Sequence, residues 1–263
     1  MALLAVDRVS KSFRGLRAVS ETSFEVPEGG IVALIGPNGA GKTTLFNIIA
    51  GVLRPDSGRV TFAGRRIDGL RPDVVCRAGV GRTFQIVKPF GGLTVLENVM
   101  VGAFRGTADP DAARAKALDV LDRLGLGPKA NVLAASVTLP ERKRLEVARA
   151  LATGPRLLLL DEVMAGLRPT ETDEMVAVFR ELNRSGLTIL LIEHVMRAVM
   201  ALAGEIVVLH HGQVISRGAP EAVVRDPAVL ESYLGEADAA GEADAACETD
   251  AAGGAGEADE DVA

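Results

Sequence analysis

The chain has 263 residues, 48% of them hydrophobic, with no Trp and only 3% aromatics, so it can bury a substantial core, which must be built from Leu, Val, Ile and Ala. No run approaches the ~20 apolar residues that cross a bilayer, and the apolar start from Met1 to Val6, cut off by Asp7 and Arg8, is too short for a secretion signal. The formal net charge of −6 is uneven: all 29 Lys and Arg lie at or before Arg225, whereas ten of the 35 acidic residues lie beyond Gly235, which leaves a mildly basic body with no nucleic-acid partner expected.

Strand and helix signals alternate along the chain. Val19 to Val26 reads as a strand ending at the turn Glu28-Gly29-Gly30. Ile31 to Ile35 is a short β-branched apolar run, the pattern of a strand buried on both faces. A glycine-rich loop follows, then a helix from near Lys42. Arg59 to Phe62 reads as a further strand of a β-rich N-terminal part. From about 90 to 153 the pattern is mostly helical. Thr94-x-x-Glu97 and Thr138-x-x-Glu141 are capping-box signals, and Gly154-Pro155 closes the last of these helices. Leu157 to Leu160 and Thr188 to Ile192 are two more buried strands. Glu205 to Leu209 and Gln213 to Ser216 flank His211-Gly212 as a hairpin. The reading is an α/β domain over 1–235: a parallel core, an antiparallel β edge and an inserted helical subdomain. Residues 236–263 contain GEADAA twice in succession and have no large side chains to bury, so a disordered acidic tail is expected there.

Gly36, Pro37, Asn38, Gly39, Ala40, Gly41, Lys42 and Thr43, followed by Thr44, form G-x-x-x-x-G-K-T between a predicted strand and a predicted helix. Glycines let consecutive backbone N–H groups converge on phosphate oxygens, and the helix N-terminus adds its dipole. Lys42 then reaches the β- and γ-phosphates, and the Thr43 hydroxyl ligates Mg²⁺. Asp161-Glu162, after the strand Leu157 to Leu160, supplies the complement. Asp161 at the strand end can hold Mg²⁺ through water. Glu162 can polarise the attacking water as a general base or as its orienter. These features point to an enzyme that hydrolyses ATP with Mg²⁺.

At this point the chain resembles the nucleotide-binding subunits of ATP-binding-cassette (ABC) transporters over about residues 5–235. The resemblance implies a P-loop NTPase (RecA-like) core with an antiparallel β subdomain and an inserted helical subdomain. It also implies roles for single residues. Gln85, in Arg82-Thr83-Phe84-Gln85, matches the glutamine loop that contacts Mg²⁺ and senses the membrane subunit. His194, after Ile192-Glu193, matches the switch histidine at the γ-phosphate. Phe13 matches the aromatic that stacks on adenine, and Ala165-Gly166-Leu167 the loop at the dimer interface. Lys11 to Val19, Arg82 to Gln85, Leu93 to Gly102 and Tyr233-Leu234-Gly235 are similar to the ATPases of branched-chain amino acid importers. That finer likeness implies permease subunits, a second ATPase subunit in a heterodimer or a homodimer, and indirectly a solute-binding protein. The location it implies is the cytoplasmic face of the cell membrane, as a peripheral subunit. Two cysteines, Cys76 and Cys247, with no metal spacing fit a reducing compartment. The alternatives are an importer of another small polar solute such as urea or an amide, or a soluble non-transport ATPase of the same family.

One segment departs from the family. Its signature is usually Leu-Ser-Gly-Gly-Gln or Leu-Ser-Tyr-Gly-Gln, and the aligned residues here are Val137, Thr138, Leu139, Pro140 and Glu141. Pro140 has no N–H to give a phosphate, and Glu141 brings a negative charge toward the partner's ATP. The same residues also read as a helix start, with Thr138 as cap and Pro140 in the first turn. Both readings stand on the sequence alone.

Overall fold

The structure is a computed structural model that describes residues 1–83 and 89–233. Gln85 and the acidic segment 236–263 lie outside the described residues. Ten strands and eight α-helices follow one another among those described.

Two long strands, β1 (Ala2–Phe13) and β2 (Leu16–Pro27), pair antiparallel, and β4 (Ser57–Phe62) joins β1, with the two-residue β5 (Arg65–Arg66) beyond it. The apolar start read only as too short for a signal is therefore the first half of a strand, with Leu3, Leu4 and Val6 buried. The second sheet contains β3 (Ile31–Ile35), β6 (Val80–Arg82), β7 (Leu157–Asp161), β8 (Thr188–Ile192), β9 (Glu205–His210) and β10 (Gln213–Gly218), in the order β10-β9-β3-β8-β7-β6. All its pairings are parallel except the β9–β10 hairpin at the edge. That hairpin turns on His211 and Gly212, both with positive φ (47° and 78°), the two-residue turn whose twist suits paired strands.

Every residue of β3, β7 and β8 is buried, as their unbroken apolar runs require. Alternate side chains face two separate cores. Val32, Leu34, Leu159, Leu190 and Ile192 pack with α1 (Lys42–Ile49) and the first sheet. Ile31, Ala33, Leu158, Leu160, Ile189 and Leu191 pack under a layer of helices. That layer includes α3 (Val95–Ala103), α4 (Pro110–Arg123), α5 (Leu139–Ala152), α6 (Pro169–Arg184) and α7 (Met196–Leu202), with α2 (Pro72–Ala78) and α8 (Pro220–Val223) as short connectors. The buried hydrophobics are aliphatic apart from Phe24, Phe46, Phe62 and Phe179. The mixed α/β class read from the sequence is the one observed.

The Thr94 cap is formed in both directions: Glu97 N–H donates to the Thr94 hydroxyl at 3.1 Å, and Thr94 N–H donates to the Glu97 carboxylate at 2.7 Å. Inside α3, Asn98 is fully buried, and its amide nitrogen donates to the carbonyls of Phe90 and Thr94. This fastens the chain entering the helical layer.

Strand β8 occupies the middle of the large sheet, so removing bulk there should be felt by all of it. Leu190→Ala, at a fully buried position, should cost about 2–5 kcal/mol of unfolding free energy, read from urea denaturation midpoints.

Candidate functional site

The loop from Gly36 to Gly41 links the buried end of β3 to the first turn of α1. A side chain at Gly36 would place Cβ 1.9 Å from the Leu209 carbonyl oxygen, and one at Gly41 would lie 2.2 Å from that of Ala18. Both glycines also have positive φ, 145° and 101°. Glycine is therefore required twice over, by contact and by backbone conformation. The Ala40 carbonyl accepts the Gly212 N–H at 3.0 Å, and the Gly212 carbonyl accepts Ser20 N–H at 2.8 Å. The loop is thus wedged between β2 and the β9–β10 turn. Pro37 and Ala40 are buried, whereas Asn38, Gly39 and Thr43 are exposed and Thr44 is half-buried.

Lys42 is the first residue of α1, and its side chain is folded inward. Its ammonium donates to the Gly36 and Pro37 carbonyls at 2.6 and 2.7 Å, at 6% exposure. A cation is thereby fixed inside the loop at the positive end of a helix, a pre-formed anion site.

Asp161 ends β7 at 1% exposure. Its Oδ2 accepts a hydrogen bond from the Arg82 guanidinium at 3.1 Å, and its backbone N–H donates to the Thr83 hydroxyl at 3.0 Å. Arg82, at the end of β6, also donates to Asn47 of α1 at 2.6 Å. Burial pushes the Asp161 carboxyl above the usual aspartate range, although the Arg82 guanidinium opposes this. Its Oδ1 is buried without a hydrogen-bond partner among the described residues. A buried carboxylate oxygen left open beside a phosphate-type loop is suited to a divalent cation or its water. No group of three or more His, Cys, Asp or Glu able to hold a metal exists among the described residues. A cation here must draw most of its ligands from elsewhere, as Mg²⁺ does from phosphates and water.

Glu162, the next residue, has φ 50°, the left-handed region that costs a side-chain-bearing residue roughly 1–2 kcal/mol. This turn swings its carboxylate off the strand line and onto His194, whose Nε2 lies 2.7 Å from Glu162 Oε1. The turn is tied down on both sides. Glu162 N–H donates to the Ile192 carbonyl at 2.9 Å, and the Glu162 carbonyl accepts the Lys143 ammonium at 3.1 Å. His194 follows β8, the strand between β3 and β7.

Phe13 is 42% exposed at the end of β1, opposite Leu16 at the tip of the β1–β2 hairpin. The same hairpin carries Ala18 against Gly41, and the Lys11 ammonium lies 5.7 Å from the Phe13 ring centroid. Thr138, Leu139, Pro140 and Glu141 stand elsewhere, at the start of α5 in the helical layer. The Thr138 N–H and hydroxyl donate to Glu141 Oε2 at 2.9 and 3.0 Å, and Lys129 lies 3.3 Å from Glu141 Oε1. These bonds, the Thr138 N–H foremost, hold the Glu141 carboxyl below the usual glutamate range. The helix-start reading is therefore realised, and Leu139 packs toward Gly166.

The structure gathers Lys42, Asp161, Glu162 and His194 at the ends of three neighbouring parallel strands. It adds residues that pattern reading did not single out. Arg82 pairs with Asp161, Lys143 reaches Glu162, and Glu193 is buried at 1% exposure. Glu193 Oε1 accepts Met164 N–H at 2.9 Å, while its Oε2 is buried without a hydrogen-bond partner among the described residues. Nothing in a Glu-His pair at a strand end signals burial; only the fold does.

The sequence profile of the family described as "ABC transporter" matches residues 19–165, more than half of the chain. The chain belongs to this family. A profile described as "Branched-chain amino acid ATP-binding cassette transporter" matches residues 213–239. The high-affinity branched-chain amino acid transport ATP-binding protein LivG of Salmonella typhimurium is 43% identical over 251 residues, covering 89% of this chain and 98% of the relative. A crystal structure of the ADP conformation of an ATP-binding cassette of an ABC transporter superposes with TM-score 0.82 at 32% identity, over 89% of this chain and 99% of that one. A dimeric post-hydrolysis cassette bound to ADP and phosphate has TM-score 0.75 at 25% identity, over 82% and 98%. The ABC ATPase is thus a nucleotide-binding enzyme with a P-loop NTPase fold. No helix among the described residues is long and apolar enough to cross a membrane.

Burial pushes the Glu193 carboxyl from 4.5 up to about 7, with the Glu162 charge adding to the rise and the Met164 N–H and Lys143 opposing it. A group whose pKa is raised on folding contributes stability below its unfolded pKa and loses it as pH rises through the folded value. The loss here is about 3 kcal/mol, spread between roughly pH 4.5 and 7. Glu193→Gln carries no such proton. Its melting temperature relative to wild type should therefore rise by roughly 5 °C or more between pH 4.5 and 8, as read by calorimetry.

Proposed function

We propose that this chain is the ATP-hydrolysing subunit of an importer for branched-chain or similar hydrophobic amino acids, docked on permease subunits at the cytoplasmic face of the membrane. The observation that carries the catalytic half is the Glu162–His194 contact of 2.7 Å beside the fixed Lys42 cation and the open Asp161 oxygen. The substrate half rests on the C-terminal profile match at residues 213–239 and on the 43% identity to LivG.

In this reading the loop N–H groups from Gly36 to Thr44 cradle the phosphates. Lys42 exchanges its two carbonyl partners for β- and γ-phosphate oxygens, and Phe13 stacks on the adenine. Thr43, Asp161 and Gln85 would hold Mg²⁺, which would supply neutralisation of the phosphate charge. Glu162 takes the proton of the attacking water, and His194 orients that carboxylate and meets the γ-phosphate. A cradle fixed in advance stabilises charge in the transition state without reorganisation. Two such subunits, identical or paired with a second ATPase, close with each ATP between one subunit's loop and the Thr138-to-Glu141 segment of the other. A solute-binding protein feeds the permeases. Pro140 withholds an N–H, and Glu141 consumes those of its own cap. Where the second subunit is a different ATPase, the site completed by this chain's Thr138-to-Glu141 segment is therefore the slower of the two.

Glu162→Gln should reduce steady ATP turnover by at least ~100-fold while leaving Mg-ATP affinity within about threefold. Lys42→Ala should weaken affinity itself. Wild-type turnover in the first, or wild-type affinity in the second, removes that residue from its role.

A further inference from the structure

Glu162 is a side-chain-bearing residue at positive φ in a segment that must present its carboxylate accurately. Each of the two peptide units after it is held by a buried charged side chain. Lys143, at 7% exposure on α5, donates to the Glu162 carbonyl at 3.1 Å. Glu193, at 1% exposure after β8, accepts the Met164 N–H at 2.9 Å. Among the described residues neither side chain forms a salt bridge within 4 Å; both are bonded to backbone. The two groups also sense each other, since the Lys143 charge opposes the rise in the Glu193 pKa. Lys and Glu side chains are rarely withdrawn from water unless they are bonded, and here both are bonded to adjacent peptide units of one turn.

We propose that Lys143 and Glu193 are positioning residues that clamp the Glu162–Met164 turn, fixing the Glu162 carboxylate against His194 and the start of the Ala165-Gly166-Leu167 segment with it. The clamp has a directional consequence. Lys143 lies five residues after Thr138 on the same helix, so a displacement of the start of α5 is passed to the Glu162 carbonyl through one side chain. Glu193 is covalently next to His194, so the same turn is also tied to the group that its carboxylate contacts. The helical layer, the Glu162 turn and the His194 loop therefore move as one unit. This rests on the assignment of Glu162 given under the proposed function.

The test compares Lys143→Met and Glu193→Leu with the conservative Lys143→Arg and Glu193→Gln, which keep a donor and an acceptor respectively. All are made in the full chain, alone and combined with Glu162→Gln. The expected result for Lys143→Met and Glu193→Leu is a fall of about tenfold or more in kcat, with Mg-ATP affinity held within about threefold. The conservative pair should recover most of that loss. On the Glu162→Gln background the residual single-turnover rate should fall no further, because groups acting through one residue are not additive with its removal. Unchanged kcat in the two disruptive variants overturns the proposal, as does a loss of Mg-ATP affinity in step with kcat, or a further tenfold fall on the Glu162→Gln background. Should Glu162→Gln itself retain turnover, the assignment of Glu162 is what fails; should it lose turnover while the variants at 143 and 193 keep theirs, that assignment stands and the clamp fails.

Discussion

A carboxylate at 1% exposure is the constraint on which the rest of this site depends. Asp161 must be compensated or it would stay protonated, and Arg82 supplies the compensation at 3.1 Å from β6. Removing one partner of such a buried pair generally costs several kcal/mol, because the other charge is left alone. Arg82 satisfies only one of the two oxygens. The second is buried without a hydrogen-bond partner among the described residues, and the Lys42 charge acts on the same carboxyl group. The pair thus fixes the edge of the sheet and leaves one acceptor open. Asn47, bonded to the same guanidinium, couples α1 to that arrangement.

The sheet order explains why so few residues suffice. Because β8 lies between β3 and β7, the ends of three adjacent parallel strands deliver the Gly36-to-Gly41 loop, the Glu193-His194 pair and the Asp161-Glu162 pair to one edge. Ligand sites in open parallel sheets form at the carboxyl ends of strands for this topological reason. The antiparallel β9–β10 hairpin is not mere trim. Its turn presses Gly212 against Ala40 and its Leu209 carbonyl against Gly36, so the loop is shaped from the side as well as from its ends.

Much of this was legible in the sequence because it rests on short-range rules. The unbroken apolar runs of β3, β7 and β8, the G-x-x-x-x-G-K-T loop and the capping boxes at Thr94 and Thr138 each carry their own local reason. What was not legible depends on long-range burial. Met1 to Val6 looked like a stray apolar start, because its partners, Phe24, Val26 and Val60, come much later in the chain. Arg82 was visible only as part of a four-residue likeness, and Lys143 and Glu193 looked like ordinary charges on a helix and after a strand. Their importance comes from low exposure and from backbone partners 19 and 29 residues away. The signature departure at Pro140 and Glu141 was visible, but whether Glu141 faced outward or capped its own helix required the 2.9 Å bond from Thr138.

The central claim is that the open oxygen of Asp161 is the chain's carboxylate contact to the Mg²⁺ of bound ATP. Calorimetric titration of Asp161→Asn with ATP, in the presence and absence of Mg²⁺, addresses this directly. The account predicts that the magnesium-dependent gain in affinity seen in wild type shrinks by about tenfold or more, while binding of metal-free ATP persists, since the Lys42 cradle is untouched. An undiminished magnesium dependence in Asp161→Asn would contradict it.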